Sequence, residues 1–206
     1  MVMILNEAEQ QEISAAIAAV EKTTDAELVT VLARRADNYY YIPTLWAALI
    51  ALLLPILVKF TPFWLSGDEL LWMQWLTFIL LAVVLRIPFI MMKLVPTKVR
   101  YWRASNLARR QFLDNNLHHT KDDMGVLIFV SEAEHYVEII ADRGISRHVS
   151  NETWQEIIDT FVTAVKKGQT NQGFLDCIAS CGVLLNQHAP ATQDKNELPN
   201  RLIILD

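Results

Sequence analysis

Two long apolar runs occupy the middle of this chain, Ile42–Phe60 and Leu70–Phe89. Each run approaches the roughly 20 residues that an α-helix needs to cross about 30 Å of hydrocarbon. The segment 61–69 between them holds a proline, a glycine and two acids, which is typical of a turn between antiparallel helices. Residues 42–92 are therefore predicted to form a transmembrane helical hairpin.

The sequence on either side of the hairpin has the mixed periodicity of an α/β domain. An amphipathic helix that Asn6 can cap precedes the apolar strand 27–33, and a basic helix is expected over 99–117 after the hairpin. Strands follow at 124–131 and 136–141, and two amphipathic helices follow the strands. The order α-β, interruption, α-β-β-α-α predicts a small Rossmann-like α/β sandwich of two or three layers, interrupted by the hairpin.

This pattern divides the chain into four segments. The first part of the α/β domain is 1–41, the hairpin is 42–92, the second part of the domain is 93–188, and 189–206 is a linker with a C-terminal tail. The tail contains the apolar run LIIL, which is unusual for a free end. It is expected to dock, either as an edge strand or against a partner.

Charge restricts the partners and predicts the orientation. The net charge of −5 provides no general basic surface for nucleic acid. Cations instead flank the two apolar runs, and the turn side has only Lys59. The flanking cations are Arg34, Arg35, Arg86, Lys93, Lys98, Arg100 and Arg103. The positive-inside rule therefore places both termini and the α/β domain in the cytoplasm, with the lipid bilayer as a partner.

The two cysteines are four residues apart in a helical pattern. Cys177 and Cys181 are too few for a disulfide framework, which fits a reducing compartment. A single CxxxC motif is also a weak zinc signal. Both thiols are expected to be core residues on the apolar face of a helix.

Several stretches in order resemble a known family. They are Thr23–Val29 (TTDAELV), Gly125–Ser131 (GVLIFVS), Tyr136–Ile145 (YVEIIADRGI) and Asn196–Ile203 (NELPNRLI). Together they are similar to the TPM domain family, specifically its membrane-inserted bacterial branch. The resemblance implies a βαββαα sandwich and an inner-membrane location.

What the resemblance implies about activity is diverse. TPM members have been linked to acid phosphatase activity, to divalent-cation binding, and to accessory roles in the assembly or repair of membrane complexes. This sequence departs from the family pattern at two positions: Asp25 stands where glycine is usual, and Asn151 stands where an acid often follows the signature turn. The second difference weakens the transfer of a metal site.

Four acids are candidate metal ligands. If the first two strands are parallel and the last two form a hairpin, Asp25, Asp122, Asp123 and Asp142 meet at one sheet edge. Hard cations such as Ca²⁺ or Mg²⁺ bind several carboxylate oxygens. The alternative is that these acids are solvated loop residues and that Asp142-Arg143-Gly144 forms a turn with an ion pair.

The leading functional hypothesis is a non-enzymatic interaction or assembly module of a membrane complex, with a membrane-protein partner or a second copy of the chain as its target. The alternative is a divalent-cation-dependent phosphomonoesterase or cation sensor. In that case Asp142 acts as ligand or nucleophile and Arg143 holds the phosphate. Parallel α/β sheets usually place their sites at the opposite, carboxyl ends of the strands, so the residues favour the first hypothesis.

Overall fold

The computed structural model describes residues 5–62, 64–192 and 202–205. Contacts divide the chain into two units, residues 37–100 and the remainder. The α-helices are α1 (Glu7–Glu21), α2 (Tyr41–Val58), α3 (Gly67–Val84), α4 (Pro88–Leu94), α5 (Thr97–Asp114), α6 (Arg143–Ser146), α7 (Asn151–Lys166) and α8 (Thr170–His188). The strands are β1 (Glu27–Ala33), β2 (Gly125–Ser131), β3 (Tyr136–Ala141) and β4 (Leu202–Leu205). Two 3-10 turns, Leu117–His119 and Lys121–Asp123, precede β2.

The larger unit is built on a four-stranded sheet with the order β3-β2-β1-β4. β1 runs parallel to β2 and to β4, whereas β2 and β3 form an antiparallel hairpin. The candidate acidic edge was inferred by assuming these directions. Within the predicted tail, residues 202–205 dock as the edge strand β4, which was one of the two predicted alternatives. Residues 193–201 and 206 lie outside the described part of the chain.

Both faces of the sheet are covered, which explains why β1 and β2 are apolar throughout instead of alternating. On one face Leu28 and Ile128 pack in a cluster with residues of α1, α7 and α8. On the other face Val29 and Phe129 pack against small residues of α5, including Ala104. The α/β fold class is thus confirmed, and the sandwich has three layers.

Local signals place the element boundaries. Asn6 caps α1 in a capping box with Glu9, whose backbone N–H donates to the Asn6 side chain at 2.9 Å. Ser150 caps α7 through the N–H of Thr153. His135 adopts a left-handed φ of 51° in the turn between β2 and β3, so this four-residue connection tightens without glycine.

The second unit, residues 37–100, contains α2, α3 and α4. The second apolar run was predicted as one span ending at Phe89, and this end point was wrong. Helix α3 stops at Val84, and Pro88 begins the separate helix α4. Proline lacks a backbone N–H and fits the first turn of a helix better than an interior position.

The predicted role of the cysteines is confirmed. Cys177 and Cys181 are both free and buried in α8, within the core cluster beneath the sheet. The hydrogen bond with Cys177 and complete burial both raise the pKa of the Cys181 thiol. A buried, protonated thiol is chemically inert, so this pair packs the core.

Candidate acidic site at the sheet edge

One edge of the sheet collects the start of β1, the start of β2 and the end of β3. In register, Glu27 of β1 lies opposite Gly125 of β2, and Val126 lies opposite Ala141 of β3. The four candidate acids precede or follow these strand ends. The chain segments that carry the four acids therefore converge at this edge. The role of each acid depends on the contacts of its side chain.

Asp142 turns the chain from β3 into the short helix α6. Its backbone N–H donates to the carbonyl of Gly125 at 2.8 Å, which extends the β2–β3 pairing by one residue. Its carboxylate accepts the N–H of Arg143 at 2.8 Å and caps α6. The Asp142 carboxylate therefore has a structural partner, and the Arg143 side chain is exposed to solvent.

Asp122 and Asp123 bring their backbone carbonyls close to this helix. Both adopt left-handed conformations, with φ of 62° and 57°. A Cβ added at Gly144 would lie 2.3 Å from the carbonyl oxygen of Asp122 and 2.7 Å from that of Asp123. This close approach explains why the turn after Asp142 and Arg143 requires glycine.

Asp25 is held by the segment that follows α8. Its Oδ1 accepts the backbone N–H of Thr192 at 3.0 Å, and its Oδ2 accepts the Thr192 hydroxyl. Its own N–H donates to the carbonyl of Ala189 at 2.9 Å. At this position, where the family usually has glycine, the aspartate ties β1 to the segment that follows α8.

The described residues contain no group of three or more histidine, cysteine, aspartate or glutamate side chains arranged to hold a metal ion. Asp122, Asp123 and Asp142 share a corner through backbone contacts, and Asp25 is bonded to Thr192. The Ca²⁺ or Mg²⁺ site and the phosphatase roles of Asp142 and Arg143 remain predictions, and no contact within the described ranges favours them.

The same edge holds a carboxylate pair that sequence reasoning missed. Glu21, the last residue of α1, accepts the backbone N–H of Leu28 through Oε1 at 3.0 Å, while its Oε2 is buried without a partner. Burial raises the pKa of Glu21 to about 7, and the nearby charge of the buried Glu27 adds to this shift. The sequence signal for this pair was Glu27, an acid at the start of the otherwise apolar strand ELVTVLA.

The raised pKa of Glu21 makes stability depend on pH. Between about 4.5 and 7 the folded state binds a proton that the unfolded chain releases, so the stabilisation present at low pH is lost as pH rises. We expect Glu21→Gln, which keeps the acceptor for Leu28, to raise the free energy of unfolding above pH 7. The gain is about 1–2 kcal/mol once partial exposure to water is allowed for.

Urea unfolding of the full chain at pH 5 and pH 8 measures this effect. The control is Glu156→Gln, which removes an exposed carboxylate on α7. Glu21→Gln is expected to stabilise the protein at pH 8 and to match the wild type near pH 5, while the control changes neither value. If the two variants had the same free energy of unfolding at pH 8, ionisation of Glu21 would not destabilise the folded protein.

A second polar network lies at the opposite edge, where β2 ends. The buried Glu134 accepts the Ser131 hydroxyl and the backbone N–H of Ala36, the latter at 3.1 Å. Beside it, the Tyr136 hydroxyl donates to Glu138 at 3.0 Å. Burial is the main cause that raises the pKa of Tyr136 to about 12. This network fixes the β2–β3 turn and holds Tyr136 as a neutral donor.

Comparison with known proteins yields a family match and a structural neighbour. Residues 92–183 match the model of the TPM domain. No curated protein matches the chain. Among solved structures, the NMR structure of the BA42 protein from the psychrophilic bacterium Bizionia argentinensis is similar, with a TM-score of 0.60 and 20% sequence identity. The match covers 98% of this chain and 95% of that one. At this identity the likeness shows a shared fold.

Proposed function

We propose that the protein is a membrane-anchored TPM module, because residues 92–183 match the model of the TPM domain. In this proposal α2 and α3 span the bilayer, and the protein acts without catalysis as an interaction or assembly component of a membrane complex. The observation that carries the proposal is the apolar surface of the α2–α3 hairpin, and the unpaired Gln74 within that hairpin supports a protein partner.

The hairpin has the length and the surface that a bilayer requires. α2 and α3 each contain 18 residues and are apolar enough to cross a membrane, and none of the window in α3 is buried. The large side chains Leu53, Leu76 and Leu80 are more than half exposed. A core helix of a soluble protein hides such side chains, since patches of this size attract other surfaces. Hydrocarbon is the environment that stabilises them without further protein contacts.

Charge supports an orientation with the TPM domain in the cytoplasm. The cationic residues lie on the segments that precede α2 and follow α3, and Lys59 alone lies at the turn between the helices. Within the second unit, Arg86 donates to the Thr44 hydroxyl at 3.3 Å and lies over the ring of Tyr40. Arginine and tyrosine at the ends of spans prefer the headgroup region, so this pair supports a membrane interface at this end of the hairpin.

Gln74 supports a partner within the membrane. It lines an open groove of about 560 Å³ between α2 and α3, together with Leu45, Ala48, Leu49, Trp75 and Phe78. Its carboxamide has no hydrogen-bond partner among the described residues. An amide in hydrocarbon gains about 1–2 kcal/mol from a hydrogen bond with another helix. The small side chain of Ala48 leaves room for such a helix to approach.

Site-specific photocrosslinking in membranes tests this interaction. A photoreactive residue at Leu45, inside the groove, is expected to form an adduct with a partner helix or a second copy, and the mass of the adduct identifies which. Gln74→Leu is expected to reduce the adduct about five- to thirtyfold, because a hydrogen bond of about 1–2 kcal/mol is lost.

Two controls make the crosslinking result specific. The same photoreactive residue at Leu53, which is exposed on α2 but does not line the groove, is expected to give little protein adduct. Met73→Leu, on the residue adjacent to Gln74, is expected to leave the Leu45 adduct unchanged. Equal adducts from both positions, or none from Leu45, would remove the support for an interaction module.

A further inference from the structure

We propose that the larger unit binds an anionic amphiphile. Such a ligand has a carboxylate or phosphate group and an apolar chain, and it would bind in a cavity at the carboxyl ends of the parallel strands. The cavity lies at the edge opposite the acidic site, where β2 ends and β3 begins. It measures about 290 Å³. In open α/β sheets the carboxyl ends of the strands are where ligands usually bind, and sequence reasoning had placed its candidates at the other edge.

The walls of the cavity suit an alkyl chain. Val130 of β2 and Val137 of β3 face Phe161, Val162 and Val165 of α7 across it. Among the described residues that line this space there is no carboxylate. The nearby Glu134 and Glu138 accept hydrogen bonds from Ser131 and Tyr136. At roughly 30 Å³ per methylene, close to the volume share of one water, the cavity holds a chain of about eight to ten carbons.

The polar groups of the cavity suit an anion. Lys166 and His135 line it, and neither forms an ion pair with a described residue. Tyr101 adds a hydroxyl group. Ser131 and Tyr136 also line the cavity, but their hydroxyls already donate to glutamate carboxylates. A few convergent polar groups beside apolar walls are the composition of a small-molecule site. The unpaired ammonium of Lys166 makes the complementary ligand group negative.

The chemistry fits two sources, a free fatty acid and the acyl chain of an anionic lipid. The probe is a decanoic acid that carries a diazirine, added to the full chain in phosphatidylcholine nanodiscs. Mass spectrometry locates the adducts, which are expected within 130–137 and 161–166. If the bilayer supplies the ligand, phosphatidylglycerol nanodiscs will suppress this labelling. If free fatty acid is the ligand, unlabelled decanoate alone will compete. Either pattern supports the proposal.

Lys166 and Lys167 provide a matched pair of variants. Lys167 is the next residue and does not line the cavity. Lys166→Gln is expected to weaken competition by decanoate about tenfold, the effect of one charge-assisted hydrogen bond, while Lys167→Gln leaves it unchanged. Val162→Trp, which fills the cavity, is expected to abolish labelling, and its thermal unfolding is measured alongside.

Chain length separates the cavity from partition into the bilayer. Each buried methylene is expected to raise affinity about fourfold, with a plateau near ten carbons where the cavity is full. Partition into lipid continues to increase beyond that length. Equal competition in the Lys166→Gln and Lys167→Gln variants, adducts confined to 41–84, or equal labelling by a neutral decanol probe would overturn the proposal. None of these results bears on the proposed interaction through Gln74, because photocrosslinking at Leu45 measures that interaction separately.

Discussion

Replacing Ile50 and Leu76 by arginine together will release the protein from the membrane fraction. Each residue is the tenth of an 18-residue apolar helix and is exposed on its surface, by 41% for Ile50 and 69% for Leu76. Arginine at the centre of a span costs about 2.5–3.5 kcal/mol on insertion scales. Two such changes together cost about 5–7 kcal/mol, enough to reverse insertion. Alkaline carbonate extraction followed by sedimentation measures the outcome.

The control for this experiment is Leu113→Arg, which makes the same chemical change at an exposed position of α5 in the larger unit. It is expected to leave the protein in the membrane pellet, because an exposed surface position tolerates arginine. A wild-type chain that is extracted by carbonate, or a double variant that stays in the pellet, would contradict the proposed transmembrane hairpin.

Replacing Gly125 by alanine will strongly destabilise the larger unit. Gly125 opens β2, and a Cβ there would lie 2.2 Å from the carbonyl oxygen of Leu117. This contact involves backbone on both sides, so neither atom can move without displacing β2 or the 3-10 turn beside it. Overpacking of this kind costs about 1–3 kcal/mol or more. We expect Tm to fall by about 10 °C, at the few degrees per kcal/mol typical of a chain of this size.

Gly67→Ala is the matched control, since a Cβ at Gly67 meets no atom within 4 Å. This variant is expected to be neutral or slightly more stable, because alanine in the first turn of α3 reduces the entropy of the unfolded chain. Circular dichroism of both variants during heating measures the difference. If the Gly125→Ala protein had the same Tm as the wild type, the 3-10 turn at Leu117 would be able to move at little cost in free energy.

Much of the fold could be predicted because its signals are local. Asn6 with Glu9, and Ser150 with Thr153, satisfy backbone groups within one helical turn, so their roles depend on neighbouring residues only. The apolar runs of β1 and β2 likewise predicted two buried strands, whereas the number of layers, two or three, stayed open. The break at Pro88 was missed because hydrophobicity continued through it, although the proline itself was visible.

The candidate site was harder to predict because it depends on contacts between distant segments. The sequence placed Asp25, Asp122 and Asp142 at one edge only under an assumption, that the first two strands are parallel and the last two form a hairpin. It could not determine that Thr192, 167 residues along the chain, binds the carboxylate of Asp25. It also could not determine that Asp122 turns its carbonyl toward Gly144.

The sequence by itself therefore determined the elements and the interruption of the domain by two apolar helices. These features follow from periodicity and capping, which act over short distances. Only the tertiary structure decided that burial beside Glu27 raises the pKa of Glu21, and that β2, β3 and α7 enclose an apolar cavity beside Lys166. Burial and electrostatics depend on which remote atoms exclude water from a group, and that information exists only once the chain has packed.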